Sequence, residues 1–158
     1  MDHGFTRPKE LWELSDGSIF MLRELSAFDN DKEYVIKNLD GLSNLGYIDH
    51  FKHAHVMKEN LWKSMCVIVE NLGKKMFRGY IELFLDPVFR CAKNEQNACM
   101  AVAAQDFVLA LEKTYGEGIF KAIVEGHDER LVAELKTVKD DAAKGYQGKQ
   151  DFIYTGLR

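Results

Sequence analysis

Three histidines form the densest group of potential metal ligands in this chain. His50, His53 and His55 lie within the segment Asp49–His55. Residues three apart face the same side of a helix, so the imidazoles of His50 and His53 could share a metal ion. Neither a second carboxylate nor a cysteine is placed to complete a zinc site. We therefore predict an exposed helix start without a metal or other cofactor. The alternative is a helical metal-binding protein or enzyme that uses these three histidines.

The cysteines and the Gly73–Lys75 segment lack the neighbouring motifs that catalytic thiols and phosphate-binding loops require. Cys66, Cys91 and Cys99 are an odd number of cysteines without a CxxC spacing, and they lie in stretches that read as helix interior. This pattern predicts reduced, inert thiols in the core of an intracellular protein. The segment Gly73–Lys75 lacks the preceding glycine of a phosphate-binding loop, and no predicted strand comes before it. We therefore predict that the chain is not an enzyme.

The same lysines give the chain its strongest local charge. Lys74, Lys75 and, one turn later, Arg78 concentrate positive charge in a protein whose net charge is −4. Such a cluster can attract an acidic protein partner. The alternative is a solvated turn in which the lysines complement the dipole of the preceding helix.

An internal repeat indicates how these residues are positioned. When Leu72–Glu82 is placed over Tyr115–Glu125, glycine, phenylalanine, a basic residue, an apolar pair and glutamate coincide at an offset of 43 residues. Periods of about 40 to 47 residues are typical of HEAT and armadillo helical hairpins, each of which buries its apolar face by stacking on its neighbour. The repeat therefore predicts hairpins whose turns line up along one edge.

Helical periodicity agrees with this repeat. Apolar residues recur at steps of three and four before Gly73 and again before Gly116, and these glycines are natural helix ends. A more divergent hairpin precedes them. We predict an all-α fold, a right-handed α-solenoid of about three antiparallel helical hairpins. The stripe before the first glycine consists of Met57, Leu61, Met65, Ile68 and Leu72.

The periodic pattern stops near Val138. We therefore predict a helical-repeat domain over residues 1–138 and an extended or disordered tail over residues 139–158. The tail contains glycines, alternating charges and three aromatic residues, Tyr146, Phe152 and Tyr154. Such a segment orders only when a partner or the domain covers its rings.

Overall composition narrows the possible partners. The acidic net charge and a pI near 5.7 argue against the broad basic surface of a nucleic-acid binder. No window approaches 18 consecutive apolar residues, so no membrane span is expected. These features predict a cytoplasmic, protein-binding domain that could also oligomerise through the open ends of its solenoid.

The motifs around the repeat resemble the HEAT-type units of TOG-like domains. The resemblance covers about residues 55–125 and is carried by an "LG" turn at Leu72–Gly73, the segment Phe84–Phe89, the small-residue stretch Asn97–Ala104, and Tyr115–Gly116. TOG-like domains bind tubulin through the turns within their hairpins, and related armadillo-like proteins decorate ciliary microtubules. The resemblance thus implies a partner such as tubulin or an axonemal protein, and a cytoskeletal or ciliary location.

The positions in the corresponding turn of this chain are Lys74, Lys75 and Arg78. If equivalent turns share one edge, Tyr115 and Phe28 lie nearby as possible apolar anchors for the partner. The predicted partner-binding residues are therefore Lys74, Lys75, Arg78 and Tyr115.

Overall fold

The computed structural model describes the backbone of residues 11–50 and 52–156, and the side chains of residues 15–50 and 52–144. Every regular element in these ranges is helical, which confirms the prediction of an all-α fold for the described chain. Short 3-10 turns cover Asp29–Asp31 and Arg78–Tyr80. The α-helices are α1 (Leu11–Leu25), α2 (Lys32–Lys37), α3 (Leu39–Leu45), α4 (Ala54–Phe77), α5 (Ile81–Ala92), α6 (Ala98–Tyr115), α7 (Glu117–His127) and α8 (Leu131–Gly156).

Helix α4 is the central element of the core. All five residues of its predicted apolar stripe are buried, as is Trp62. The helix makes its most extensive contacts with α6 and the next most extensive with α1. The indole of Trp62 stacks on the ring of Phe107 in α6, with 5.7 Å between the ring centroids, and Phe84 of α5 meets the edge of the same phenylalanine. These rings join three helices in one continuous apolar core.

Helices α1, α4 and α6 run in the same direction. Asn60 of α4 donates a hydrogen bond to Asp16 of α1, and Asn71, further along α4, donates one to Ser26 at the end of α1. On the other side, Trp62 contacts Phe107. The end of α6 then lies beside the segment that follows Gly73. The three helices are therefore parallel, and their C-terminal ends meet on one side of the molecule.

The spacing of these contacts follows the period of the sequence repeat. Five contacts between elements far apart in the chain join residues separated by 41 to 45 positions. In these five pairs, a residue lies beside another that is about one repeat later in the sequence. The pairs are Asp16–Asn60, Ser26–Asn71, Gly46–Cys91, Lys74–Tyr115 and Lys93–Glu134.

A close backbone approach joins the first hairpin to the second. A Cβ atom at Gly46 would lie 2.8 Å from Cβ of Pro87 and 3.0 Å from the indole of Trp62. Both side chains are buried and belong to packed helices, so neither can move aside easily. Glycine at position 46 is therefore required by packing.

The last described helix, α8, includes the position at which we predicted the domain to end. Helix α8 begins at Leu131, crosses residue 138, where we predicted the domain to end, and continues to Gly156. Its apolar residues Leu131, Leu135 and Val138 are buried. Lys139, placed in the tail by the sequence, forms ion pairs with Glu112 and Glu117. The tail aromatics Tyr146, Phe152 and Tyr154 lie outside the residues whose side chains are described.

Candidate functional site

Two turns with the same backbone conformation lie at Gly73, which interrupts α4 four residues before its end at Phe77, and at Gly116, directly after α6. Gly73 has φ 83° and ψ 162°, and Gly116, 43 residues later, has φ 92° and ψ 148°. Only glycine occupies this region of backbone space readily. A Cβ atom at either position would meet nothing within 4 Å, so the glycines are needed for their dihedral angles rather than for space.

The residues that follow each glycine divide between the core and solvent in the same way. Phe77 and Phe120, both four residues after the glycine, are fully buried. Met76 and Ile119, one position earlier, are 43% and 62% exposed. Each turn is thus anchored by a phenylalanine and presents an apolar side chain to solvent. Sequence reasoning missed Met76 and Ile119, although the repeat alignment places them at equivalent positions.

The basic residues predicted to bind a partner lie in the first of these turns. Lys74 and Lys75 are exposed, and no carboxylate in the described part of the chain forms an ion pair with either. Arg78 is also exposed, but its Nη1 donates a hydrogen bond to Oε1 of Glu82 at 2.8 Å. The unpaired positive charge of this turn therefore belongs to Lys74 and Lys75.

Tyr115 lies beneath the turn instead of projecting from it. Its side chain is 9% exposed, and its hydroxyl donates a hydrogen bond to the backbone carbonyl of Lys74 at 2.8 Å. Burial raises the pKa of this hydroxyl, so it stays protonated and able to donate at neutral pH. Tyr115 thus holds the turn after Gly73 against the end of α6. The sequence predicts that Tyr115 contacts a partner directly. Only the small exposed part of its side chain is accessible for such a contact.

The second turn carries an acid, Glu117, that forms an ion pair. Lys139 of α8 forms ion pairs with Glu117 at 2.9 Å and with Glu112 at 3.1 Å. Its hydrogen bond and charge lower the pKa of Glu117, and the two carboxylates raise the pKa of Lys139. The turn after Gly116 is therefore attached to α8 by its charged residue, unlike the turn after Gly73.

The first hairpin contributes an aromatic residue to the same side of the molecule. Phe28, just beyond the end of α1, is 61% exposed. The neighbouring Asp29 and Lys32 pair with each other at 2.9 Å. Because α1, α4 and α6 are parallel, the turns that follow them lie at one end of the structure. We call their exposed residues the turn edge: Phe28, Lys74, Lys75, Met76, Arg78 and Ile119.

Charge is distributed unevenly along the chain. Residues 52–97 contain eight lysines and arginines against five acidic residues, whereas residues 15–50 contain three against seven. Residues 98–144 contain six against nine. Residues 52–97, which include α4 and α5, are thus the basic part of an acidic protein. Lys74 and Lys75 are the cations of this segment that lie in the turn edge without an ion pair among the described residues.

The histidine segment lies at the opposite end of α4. His53 occupies the N-cap position of the helix, and His55 is exposed in its first turn. Within the described residues, no three side chains of histidine, cysteine, aspartate or glutamate come together in a group that could hold a metal ion. The structure therefore gives no support to the metal-site alternative built on His50, His53 and His55.

The three thiols occupy different environments. Cys91 is buried and Cys66 is partly buried, whereas Cys99 is exposed in the first turn of α6, so the prediction of a core thiol is wrong for Cys99. Burial, with a smaller contribution from the charge of Asp106, raises the pKa of Cys66 to about 11. Burial also raises the pKa of Cys91. Both thiols therefore remain protonated at neutral pH and are poor nucleophiles.

Comparisons of the chain with protein-family models, curated proteins and solved structures find no match. The similarity to TOG-like units therefore rests on the sequence motifs alone. Across the described residues, no helix combines the length and the apolar character needed to cross a membrane.

Proposed function

We propose that this chain is a non-enzymatic protein-interaction module that binds an acidic protein surface through its turn edge. The single observation that carries this proposal is the pair Lys74 and Lys75, which are exposed and have no carboxylate partner within the described structure. Unpaired lysines beside exposed apolar side chains provide both electrostatic attraction and a desolvated contact for a partner.

The proposed architecture is a right-handed α-solenoid of three HEAT- or armadillo-like hairpins. The units are α1 with α2 and α3, α4 with α5, and α6 with α7, followed by α8. The first helices of the three units, α1, α4 and α6, are parallel, which supports this arrangement. Contacts between residues 41 to 45 positions apart support it as well. Stacked repeats produce contacts of this kind because each unit touches only its neighbours.

The turn edge has the composition of a small binding surface. Met76 and Ile119 are exposed at equivalent positions of two turns, and Phe28 lies in the turn of the first hairpin. Apolar side chains surrounded by charged groups are common at the centre of protein interfaces. Tyr115 supports this surface from below by fixing the backbone of Lys74.

The partner to test first is the microtubule. This choice follows from the resemblance to TOG-like units, in which the corresponding turns bind tubulin, and from the match between basic lysines and an acidic surface. The proposal extends to tubulin or an axonemal protein as the partner and to a cytoplasmic, cytoskeletal or ciliary location.

Sedimentation with purified microtubules tests the proposal. We expect the wild-type chain to pellet with microtubules and the Lys74→Glu, Lys75→Glu double variant to remain in the supernatant. The matched control is Lys37→Glu with Lys52→Glu, which reverses two exposed charges away from the turn edge. Control and wild type should pellet equally. Equal pelleting of all three proteins would refute a role for the turn edge, and no pelleting of the wild type would refute the microtubule as partner.

A further inference from the structure

A groove runs from the turn edge along one side of α7. It has a volume of about 620 Å³ and lies between the Arg78–Tyr80 turn with the start of α5 on one side and α7 on the other. Arg78 and Glu82 line the first side. Ile119, Ala122 and Gly126 line the second. We call this depression the α5–α7 groove.

The α7 side of the groove is apolar and shallow. Ile119 is 62% exposed at its entrance, and Ala122 and Gly126 are exposed further along. Gly118, Ala122 and Gly126 are spaced four apart, so they lie in one row on the helix surface. A row of small side chains allows the backbone of another element to approach closely.

Packing within the chain does not explain the two glycines in this row. A Cβ atom at Gly118 or Gly126 would meet nothing within 4 Å, and neither residue has a positive φ angle. Glycine inside a helix is less stable than alanine, because glycine loses more backbone entropy on folding. Packing among the described residues therefore does not require glycine at either position.

The charges along the groove are arranged asymmetrically. Arg78 lines the entrance, and the unpaired Lys74 and Lys75 precede it by one turn in the same turn edge. At the far end, His127 is already paired with Asp86, with 3.1 Å between Nε2 and Oδ2. Within the groove, Arg78 is paired with Glu82 and His127 with Asp86, so the positive charge without an ion-pair partner among the described residues lies just beyond the entrance, at Lys74 and Lys75.

Resting on the function proposed above, we infer that the α5–α7 groove binds an amphipathic helix of the protein partner. Its apolar face would lie on Ile119, Ala122 and Gly126, and carboxylates at one end would pair with Lys74 and Lys75. Helix α7 has 11 residues and is about 16 Å long, which matches three turns of a bound helix.

A helical ligand fits this surface better than an extended one. An extended peptide pairs most of its backbone donors and acceptors with a protein only where it joins a sheet edge. The described elements of this chain include no strand that could offer such an edge. A helix satisfies its own backbone and needs only an apolar face, which the groove provides, and complementary charge, which Lys74 and Lys75 provide in the adjoining turn edge.

The probe for this inference is a synthetic, fluorescein-labelled peptide of 18 residues made from alanine, leucine and glutamate. Its leucines follow one helical face and its glutamates cluster at one end. Fluorescence polarisation with the full chain should give saturable binding. A peptide of the same composition in scrambled order, and one with lysine in place of glutamate, should each bind at least about tenfold more weakly.

Two sets of variants locate the binding site. Ala122→Trp fills the groove, and Ala143→Trp is the control because Ala143 is exposed on α8. We expect Ala122→Trp to weaken peptide binding at least about tenfold and Ala143→Trp to change it less than about twofold. Circular dichroism and thermal unfolding of each variant would verify that the fold is intact. The Lys74→Glu, Lys75→Glu variant should weaken binding as strongly as Ala122→Trp.

An isoleucine-methyl NMR titration provides a measurement that does not depend on variants. Binding in the groove should shift the signals of Ile119 and Ile123, while Ile19 and Ile36 in the first hairpin stay unchanged. Shifts confined to the first hairpin, or no saturable binding of the peptide, would overturn the inference.

The inference and the proposed function can fail separately. If microtubule pelleting is lost in Lys74→Glu, Lys75→Glu but kept in Ala122→Trp, the turn edge remains a binding surface and the groove does not take part. If Ala122→Trp alone loses the peptide, the groove binds helices without help from the lysines, and the charge part of the inference is overturned.

Discussion

The turns after Gly73 and Gly116 have the same backbone conformation but differ in charge. Both begin with a glycine at positive φ, bury a phenylalanine four residues later and expose an apolar residue just before it. Lys74 and Lys75 of the first turn have no ion-pair partner among the described residues, whereas Glu117 of the second is paired with Lys139.

This comparison separates the requirements of folding from those of binding. Glycine and phenylalanine recur because the turn and the core need them. Lys74 and Lys75 align with Glu117 and Gly118, so the charge at these two positions does not recur and the turn does not require it. Charge that serves folding is paired, as at Glu117, and the unpaired charge of Lys74 and Lys75 is therefore the part of the turn that is available to a partner.

The largest effect should come from the shared phenylalanines. Phe77→Ala and Phe120→Ala each remove a fully buried ring, and Phe77 packs 5.6 Å from Phe84 between centroids. We expect each substitution to lower the free energy of unfolding by about 3–5 kcal/mol. Urea denaturation measures this loss. A loss at one position only would show that the two turns are not structurally equivalent.

The shared glycines should give the next largest effect. Gly73→Ala and Gly116→Ala force a Cβ-bearing residue to a φ angle near 90°, and we expect each to destabilise the fold by about 1–3 kcal/mol. Gly118→Ala is the control, because Gly118 lies inside α7 with open space around it. The control should leave stability unchanged or raise it, which thermal unfolding would detect.

The ion pairs of Lys139 should give a smaller and pH-dependent effect. Lys139 lowers the pKa of Glu117, so the pair contributes stability above the ordinary carboxyl pKa of 4.5 and loses it as the pH falls through the lower pKa in the folded state. We therefore expect Lys139→Met to lower the melting temperature at pH 7 and to narrow the difference from wild type at pH 3. Lys136→Met, one turn away and exposed, should change neither value.

The smallest effect on stability should come from the unpaired lysines. Lys74→Glu with Lys75→Glu breaks no ion pair among the described residues, so the free energy of unfolding should stay within about 0.5 kcal/mol of wild type. Glu117→Lys, by contrast, places two lysines together and should lower the melting temperature at pH 7. Equal destabilisation by both variants would mean that charge serves the same purpose in both turns.

Local sequence signals were sufficient to predict the apolar face of α4 and the turns at Gly73 and Gly116. The stripe that ends at Leu72 is buried as predicted, and both predicted turn glycines have the positive φ angle that makes glycine necessary. These features depend on periodicity and on backbone sterics, which act within a few residues. The 43-residue offset is therefore visible in the sequence and again in the backbone conformation.

Features that depend on contacts between distant segments could not be predicted in the same way. The sequence shows Tyr115 as an aromatic residue near a turn, but its burial depends on the carbonyl of Lys74 in another helix. Helix α8 continues past residue 138 although its apolar pattern ends there, and Lys139 finds its partners on α6 and α7. Likewise, the sequence on either side of Gly46 does not indicate that the side chains of Trp62 and Pro87 pack closely against its backbone.

The stacking of Trp62 on Phe107 makes the association of α4 with α6 measurable by fluorescence. The chain has two tryptophans, so Trp12→Phe would leave Trp62 as the single indole emitter. A buried indole emits at shorter wavelengths than a hydrated one, and Trp62 is fully buried. Its emission therefore reports whether α4 and α6 stay packed against each other. A red shift upon heating or partner binding would show that the two helices have separated.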